Sequence, residues 1–388
     1  MHRGWHFLQI PGPSNTPQSV LQAMSKPTID HRGPEFALLT KGILSRIREV
    51  FQTMGEVVVY PSSGTGAWEA ALTNLFKPGD KVLGYETGHF SVLWKNLATQ
   101  LGLEVIWIES DWRRGAEADK IRSYLEADSA HQVKGIMVVH NETSTGVTSD
   151  IKSVREAIDA VGHPALLLCD VVSSLATTPF YQDDWGVDVA IAASQKGLML
   201  PPGLGFNAIN QKALEISRHN QPPNPYWKWD RIVELNETGY YPYTPASNLL
   251  FGLEKALEML LEEGLESVYH RHRRHAEATR TAARAWGLEN QALNPSEFSD
   301  STTALQVKEG ADAFRKLVLN DFNMSLGTGL GRLKDQVFRI GHLGDFNDLM
   351  LCGTLAGVEM GLKKSGVDHQ PGGVQAAMDY LTDNAVSH

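Results

Sequence analysis

Cysteine is nearly absent from this chain of 388 residues, where only Cys169 and Cys352 occur. Both sit among apolar neighbours, which excludes a disulfide scaffold and leads us to expect a reduced, cytoplasmic setting. Long apolar runs are missing as well. No stretch approaches the ~20 residues of a transmembrane helix, and Met1 to Gln9 lacks the apolar core of a secretory signal. Basic charge is in short supply: Lys plus Arg is 35 against 45 for Asp plus Glu, a formal net charge of −10. Such a chain is a poor general binder of polyanions, because nucleic-acid affinity comes from neutralising phosphates. Neither a nucleic acid nor a membrane is therefore expected as a partner. What is present is 42% hydrophobic and 21% charged, a globular composition. At roughly 100–200 residues per domain the length suggests two domains, enough to bury a core without disulfides or structural metal. Glycine is plentiful, at 35 residues, as expected where tight turns or close backbone–ligand approaches are needed.

Seven short apolar runs recur along the first two thirds of the chain: 57–60, 81–83, 105–108, 135–139, 165–168, 187–191 and 206–209. Most are apolar at every position, the pattern of strands buried on both faces. Between them lie stripes with helical spacing, such as Ala67, Ala70, Ala71 and Leu75, or Val154, Ala157, Ile158 and Val161. The alternation predicts an α/β fold with a mostly parallel, seven-stranded sheet. No helical stripe separates the last two runs, so an antiparallel connection is expected there. Gln221 to Pro245 is rich in proline and aromatics and reads as an irregular loop. Two long amphipathic helices follow, over 248–263 and 268–286, and then a smaller α+β pattern. The expected organisation is an N-terminal arm (1–20), a large domain (21–259) and a small C-terminal domain (260–388).

Three features follow predicted strands. Pro61-Ser62-Ser63-Gly64-Thr65-Gly66 opens a helix, where glycines, hydroxyls and free N–H groups suit an anion; an ordinary Ser/Thr N-cap is the plain alternative. It is neither a Walker loop nor a dinucleotide fingerprint. Asp170 ends the run 165–169, at the strand end where α/β sheets bind ligands; it could equally cap a turn. Lys196 comes directly after 190–195 and is either a turn lysine or a buried amine able to form a Schiff base. An anion loop, then an aspartate about 100 residues on, then a lysine, each after a strand, suits pyridoxal phosphate.

Six stretches carry a resemblance to a known family. They are Ile10-Pro11-Gly12-Pro13-Ser14-Asn15, Ser63-Gly64-Thr65-Gly66, His140-Asn141-Glu142-Thr143-Ser144-Thr145-Gly146-Val147, Ser194-Gln195-Lys196-Gly197, Tyr241-Pro242-Tyr243-Thr244-Pro245 and Phe338-Arg339-Ile340-Gly341-His342-Leu343-Gly344. Together, over nearly the whole length, they resemble the class V aminotransferases of pyridoxal-phosphate fold type I, and within them the serine–glyoxylate and alanine–glyoxylate branch. The resemblance implies transamination between a small amino acid, serine first, and glyoxylate, with aspartate, hydroxyaspartate and alanine as other donors. It implies that Lys196 is the Schiff-base lysine and that Asp170 faces the pyridinium. Ser63, Gly64, Thr65 and Gln195 would bind the phosphate, Phe90 would stack on the ring, and Thr145, or its neighbour Thr143 or Ser144, would contact the ring hydroxyl. Tyr241 and Thr244 would cross to a partner subunit's phosphate, which implies a homodimer. Arg339 would grip the substrate carboxylate, while His31 and Arg32 would lie near the substrate side chain. A class V lyase such as a cysteine desulfurase is the nearest rival on this fold.

Two departures stand beside the cofactor residues: Val171 and Val172 follow Asp170, where relatives commonly have glycine, and Ala192-Ala193 precedes Ser194. Other features read as ordinary structure. His270, His272 and His275, interleaved with Arg271, Arg273 and Arg274, look like a solvated helix face rather than a metal site. Trp68 and Trp94 read as packing residues, and Gly327-Thr328-Gly329-Leu330-Gly331 as a loop at the substrate mouth.

Overall fold

The computed structural model of the chain describes residues 4–220, 224–307 and 309–385. The first three residues of the expected arm and Gln221 to Pro223 of the expected loop lie outside this set. Seven strands make one sheet, in the spatial order Glu56–Ser62, Gly203–Ile209, Val189–Ala193, Leu166–Asp170, Val133–Val139, Lys81–Tyr85 and Glu104–Ile108. Only Gly203–Ile209 runs against its two neighbours; the other pairings are parallel. The short link from Ser194 to Pro202 cannot hold a crossover helix, so that strand must return antiparallel, as expected. The pleat explains why the runs are apolar throughout. Val57 and Val59 face a core shared with helices Pro34–Phe51 and Ser247–Glu263. Val58 and Tyr60 face the opposite core, shared with helix Gly64–Leu75.

The expected loop before residue 245 is irregular only in part among the described residues. It holds the helix Trp229–Thr238, which buries Trp229, Ile232, Val233 and Asn236. That is a helical stripe, masked in the sequence by the prolines on both sides. The Trp229 indole donates to Tyr60 Oη over 2.6 Å, and truncating so fully buried a side chain costs about 3–5 kcal/mol.

Thr302–Gln306, Met324–Thr328 and Val337–Gly341 belong to a second, four-stranded sheet. Its fourth strand is Phe7–Gln9, parallel to Met324–Leu326. Within the expected N-terminal arm, Phe7–Gln9 is thus an edge strand of the C-terminal sheet. The loop read at 327–331 likewise begins inside a strand, with Gly327 paired to Arg339. Helices Leu265–Trp286, Ala311–Phe322, Asp348–Ser365 and Gly373–Asp383 supply the apolar core against this sheet. Among the described residues no helix is long and apolar enough to cross a membrane.

The histidine–arginine run on Leu265–Trp286 is a solvated face only in part: His270 and Arg273 are exposed. His272, Arg274 and His275 are buried. Arg274 makes a bidentate pair with Asp348 at 2.6 and 2.7 Å and also donates to the Leu381 and Asn384 carbonyls. His272 Nε2 accepts from the Gly344 N–H. The run fastens the loop after Gly341 and the last helix, so charge in the sequence became internal wiring.

Candidate active site

The carboxyl ends of Glu56–Ser62, Val133–Val139, Leu166–Asp170 and Val189–Ala193 meet at one edge of the large sheet, where α/β folds take their ligands. Beyond that edge is a cavity of about 270 Å³. Its walls include Ser63, Gly64, Thr65, Phe90, Asp170, Gln195 and Lys196, all singled out in the sequence. Gly12, Trp68, Asn141, Thr143 and Ser173 complete much of the rest.

Lys196 is buried, not a surface turn lysine. Its turn is strapped from outside: Ser14 N–H donates to the Gln195 carbonyl at 3.0 Å, and Ser14 Oγ donates to the Lys196 carbonyl at 2.8 Å. Nζ donates to the Pro11 carbonyl. Gly12 sits against the lysine with φ +107, and a Cβ there would lie 2.6 Å from Nζ. Burial, helped by the nearby Arg339 charge, brings the amine down from 10.5 to about 7, with Asp170 and Glu142 opposing. Asp170 is buried too, and burial raises its carboxyl from 3.8 to about 7. Its Oδ1 accepts from Val172 N–H at 2.7 Å and its Oδ2 from Trp68 Nε1 at 3.0 Å. Trp68, read as packing, thus grips a buried carboxylate.

Ser63 stands at the N-cap of helix Gly64–Leu75, yet its hydroxyl makes no capping bond. The hydroxyl and the first helical N–H groups are left facing the cavity, and Gln195 Oε1 is buried with no partner. A free hydroxyl and free N–H groups at a helix N-terminus fit an anionic group, and Gln195 would meet it through its amide NH2, since Oε1 only accepts. With Lys196 able to reach a carbonyl carbon and Asp170 a ring nitrogen, the donor set fits pyridoxal phosphate.

Phe90 lies in the first turn of helix His89–Gln100. Its N–H and that of Ser91 donate to Glu142 Oε2, each at 3.1 Å. Glu142, fully buried, so anchors the turn that carries Phe90. It also opposes the effect of burial on Arg339, whose guanidinium falls to about 10. Arg339 Nε donates to the Thr328 carbonyl and Nη1 to the Thr143 carbonyl, both at 2.8 Å. Its Nη2 has no partner among the described residues.

Five residues singled out in the sequence lie elsewhere. Thr145 turns its hydroxyl to the Thr87 and Glu142 carbonyls, and Thr143 is the member of its turn that reaches the cavity. Tyr241 packs edge-on against Phe36, ring centroids 6.2 Å apart, with its hydroxyl buried and unpartnered. Thr244 is exposed. His31 and Arg32 sit in a turn where Arg32 N–H donates to Asp30 Oδ1 at 2.9 Å. None of these four lines the chain's own cavity. Sequence reasoning in turn missed Asn141, Ser173, Glu142 and Trp68. Glu142 had a signal, being the acidic member of an otherwise neutral post-strand turn. Trp68 had a weaker one, one helical turn beyond Gly64.

Comparison with known proteins places the chain in a family. Residues 6–331 match the class V aminotransferase family. The serine–glyoxylate aminotransferase of Methylorubrum extorquens is 49% identical, over 99% of this chain and 98% of that one. The L-aspartate–glyoxylate aminotransferase of Paracoccus denitrificans is 43% identical, over 96% of this chain and 95% of that one. The crystal structure of ureidoglycine–glyoxylate aminotransferase from Bacillus subtilis superposes with a TM-score of 0.90 at 25% identity, covering 98% of this chain and 99% of that one. With a family match over most of its length and a relative nearly half identical over almost the whole chain, the protein belongs to the class V aminotransferase family.

Proposed function

We propose that the protein transfers the amino group of serine to glyoxylate, giving hydroxypyruvate and glycine, as a cytoplasmic homodimer that uses pyridoxal phosphate. The observation that carries the reading is the joint placement of Lys196 and Asp170 on one cavity, with Arg339 behind its wall, bonded to the carbonyl of the lining residue Thr143. Lys196 would attach the cofactor through Nζ, Asp170 would face its ring nitrogen, and Phe90 its ring. Ser63, Thr65, Gln195 and the N–H of Gly64 would hold its phosphate. When bound, that group supplies an electron sink for the carbon losing its proton.

The chain's own residues do the rest. Nζ of Lys196, its proton affinity brought near neutrality by burial, removes the proton from the donor's α-carbon; a base poised near working pH is the efficient one. Arg339, held on two carbonyls, offers Nη2 to the α-carboxylate of donor or acceptor, and its planar fork orients what a lysine could only attract. Pro11, Gly12 and Pro13 close over the lysine and keep water from it.

The donor assignment is supported by the hydroxyl-rich wall of Thr143, Ser173 and Asn141, which suits a short polar side chain. An acidic donor would need a further cation, and Arg32 is the candidate, supplied from a partner subunit. A dimer is supported by the distance of His31, Arg32, Tyr241 and Thr244 from their own cavity, and by the exposed Leu38 on the helix that follows His31. A desulfurase reading needs a cysteine on a loop, whereas Cys352 lies within helix Asp348–Ser365.

The test is a set of half-reactions on the holoenzyme with serine, alanine, aspartate, hydroxyaspartate and asparagine. Serine is expected to bleach the cofactor band fastest, and glyoxylate to restore it. A tenfold faster reaction with aspartate would move the donor assignment to the acidic class.

A further inference from the structure

The helix Gly64–Leu75 serves the cavity twice. Its N-terminus forms the anion cradle, and one turn later Trp68 reaches Asp170. We propose that Trp68 is a positioning residue: by donating its indole N–H to Asp170 Oδ2, it fixes the charge and orientation that carboxylate offers to a ring nitrogen. The inference rests on the cofactor reading above.

Trp68 is 4% exposed and stacks on Trp94, with centroids 5.7 Å apart and planes 12° from parallel. The two indoles differ in what they do. Trp94 Nε1 is buried with no partner, so that ring only packs. Trp68 Nε1 is committed to Asp170. Among the described residues Asp170 has just two donors to its carboxylate, Val172 N–H and Trp68 Nε1, and both are uncharged. The charged or titratable groups that face it are Lys196, which favours the carboxylate, Glu142, which disfavours it, and the thiol of Cys169. In a buried site whose charged neighbours oppose one another, a single neutral donor has leverage. Without the indole N–H, Oδ2 loses its donor and the carboxylate holds a proton more tightly. Less positive charge then stays on the ring nitrogen, and the electron sink weakens. The cradle and the electron sink are thus set by one rigid helix, which keeps the two ends of the cofactor in register.

Trp68→Phe keeps an aromatic ring on Trp94 and removes the donor, with some loss of packing that Trp94→Phe controls for. In the cofactor-free protein, infrared titration of the Asp170 carboxyl, assigned with Asp170→Asn, should give a midpoint about one unit higher in Trp68→Phe than in the parent. In the holoenzyme, kcat should fall roughly tenfold with KM changed less than about twofold. The pH midpoint of the cofactor band should move in Trp68→Phe and stay in Trp94→Phe. Combined with Asp170→Asn, Trp68→Phe should add nothing, because the group it acts through is gone. An unmoved carboxyl midpoint overturns the proposal, and so does a full additive loss in the Asp170→Asn background, which would mean packing alone. If Trp68→Phe does not fold, parent protein labelled with 7-azatryptophan, a stronger N–H donor, must show a lower carboxyl midpoint, and no shift refutes the role. Failure of the parent to take up pyridoxal phosphate would instead sink the cofactor reading, while the cofactor-free titration still decides this one.

Discussion

Replacing Gly12 by alanine separates what the N-terminal segment does for stability from what it does for chemistry. Gly12 has φ +107, a conformation that costs a residue with a side chain about 1–3 kcal/mol. That is a modest part of a typical folding free energy of about 5–15 kcal/mol. The new methyl would also lie 2.5 Å from Cδ, 2.6 Å from Nζ and 2.7 Å from Cε of Lys196. Carbon atoms prefer separations of about 3.5–4.0 Å, so the tip of the lysine must retreat by roughly 1 Å. The side chain is flexible and can do so at little cost to the fold, but a misplacement of ~1 Å costs about a hundredfold in rate. Gly12→Ala should therefore melt only slightly earlier than the parent, bind cofactor, and lose about two orders of magnitude in kcat. The assay is steady-state transamination with serine and glyoxylate beside a thermal melt of the holoenzyme. A kcat within a factor of two of the parent, with the fold intact, would show that Gly12 does not set the position of Lys196.

Three further outcomes follow from the site. Lys196→Ala should abolish turnover and remove the visible band of the covalently held cofactor; full activity in that variant is incompatible with the assignment. Arg339→Lys cannot hold the Thr328 and Thr143 carbonyls and grip a carboxylate at once. It should weaken serine and glyoxylate together by roughly 10–100-fold, the worth of a hydrogen bond to a charged group, and leave bound cofactor in place, so an unchanged KM for both refutes the role. The cofactor-free protein should respond to pH through Asp170, whose carboxyl rises from 3.8 in the unfolded chain to about 7 in the fold. The fold then holds a proton the unfolded chain has lost, so this group's contribution to stability declines as pH rises from about 4 to 7, by roughly 4 kcal/mol in all. Asp170→Asn removes that decline. It should make the cofactor-free protein more stable than the parent near pH 8 but not near pH 5, as read by urea melts, and parallel curves for the two proteins would exclude it.

The strand runs, their buried character and the antiparallel return after Lys196 were legible because hydrophobic periodicity and connection length leave few alternatives. The cradle, Asp170 and Lys196 were singled out by their places at or just past strand ends, and all of them line one cavity. The helix Trp229–Thr238 was hidden by proline at its borders, where composition outweighed a short stripe. The strand Phe7–Gln9 was hidden because its partner Met324–Leu326 lies more than three hundred residues away, and backbone ladders leave no mark on composition.

The amino-acid order alone determined the sheet and the chemical groups available at the strand ends, because local spacing dictates which way side chains point. The tertiary structure alone decided how those groups behave. It buried Lys196 and Asp170 until both titrate near neutrality, and it turned Trp68 from a packing residue into a donor. It withdrew Thr145 in favour of Thr143 and held Arg339 on two carbonyls. Desolvation and hydrogen-bond partners depend on segments distant in the chain, and no local pattern encodes them.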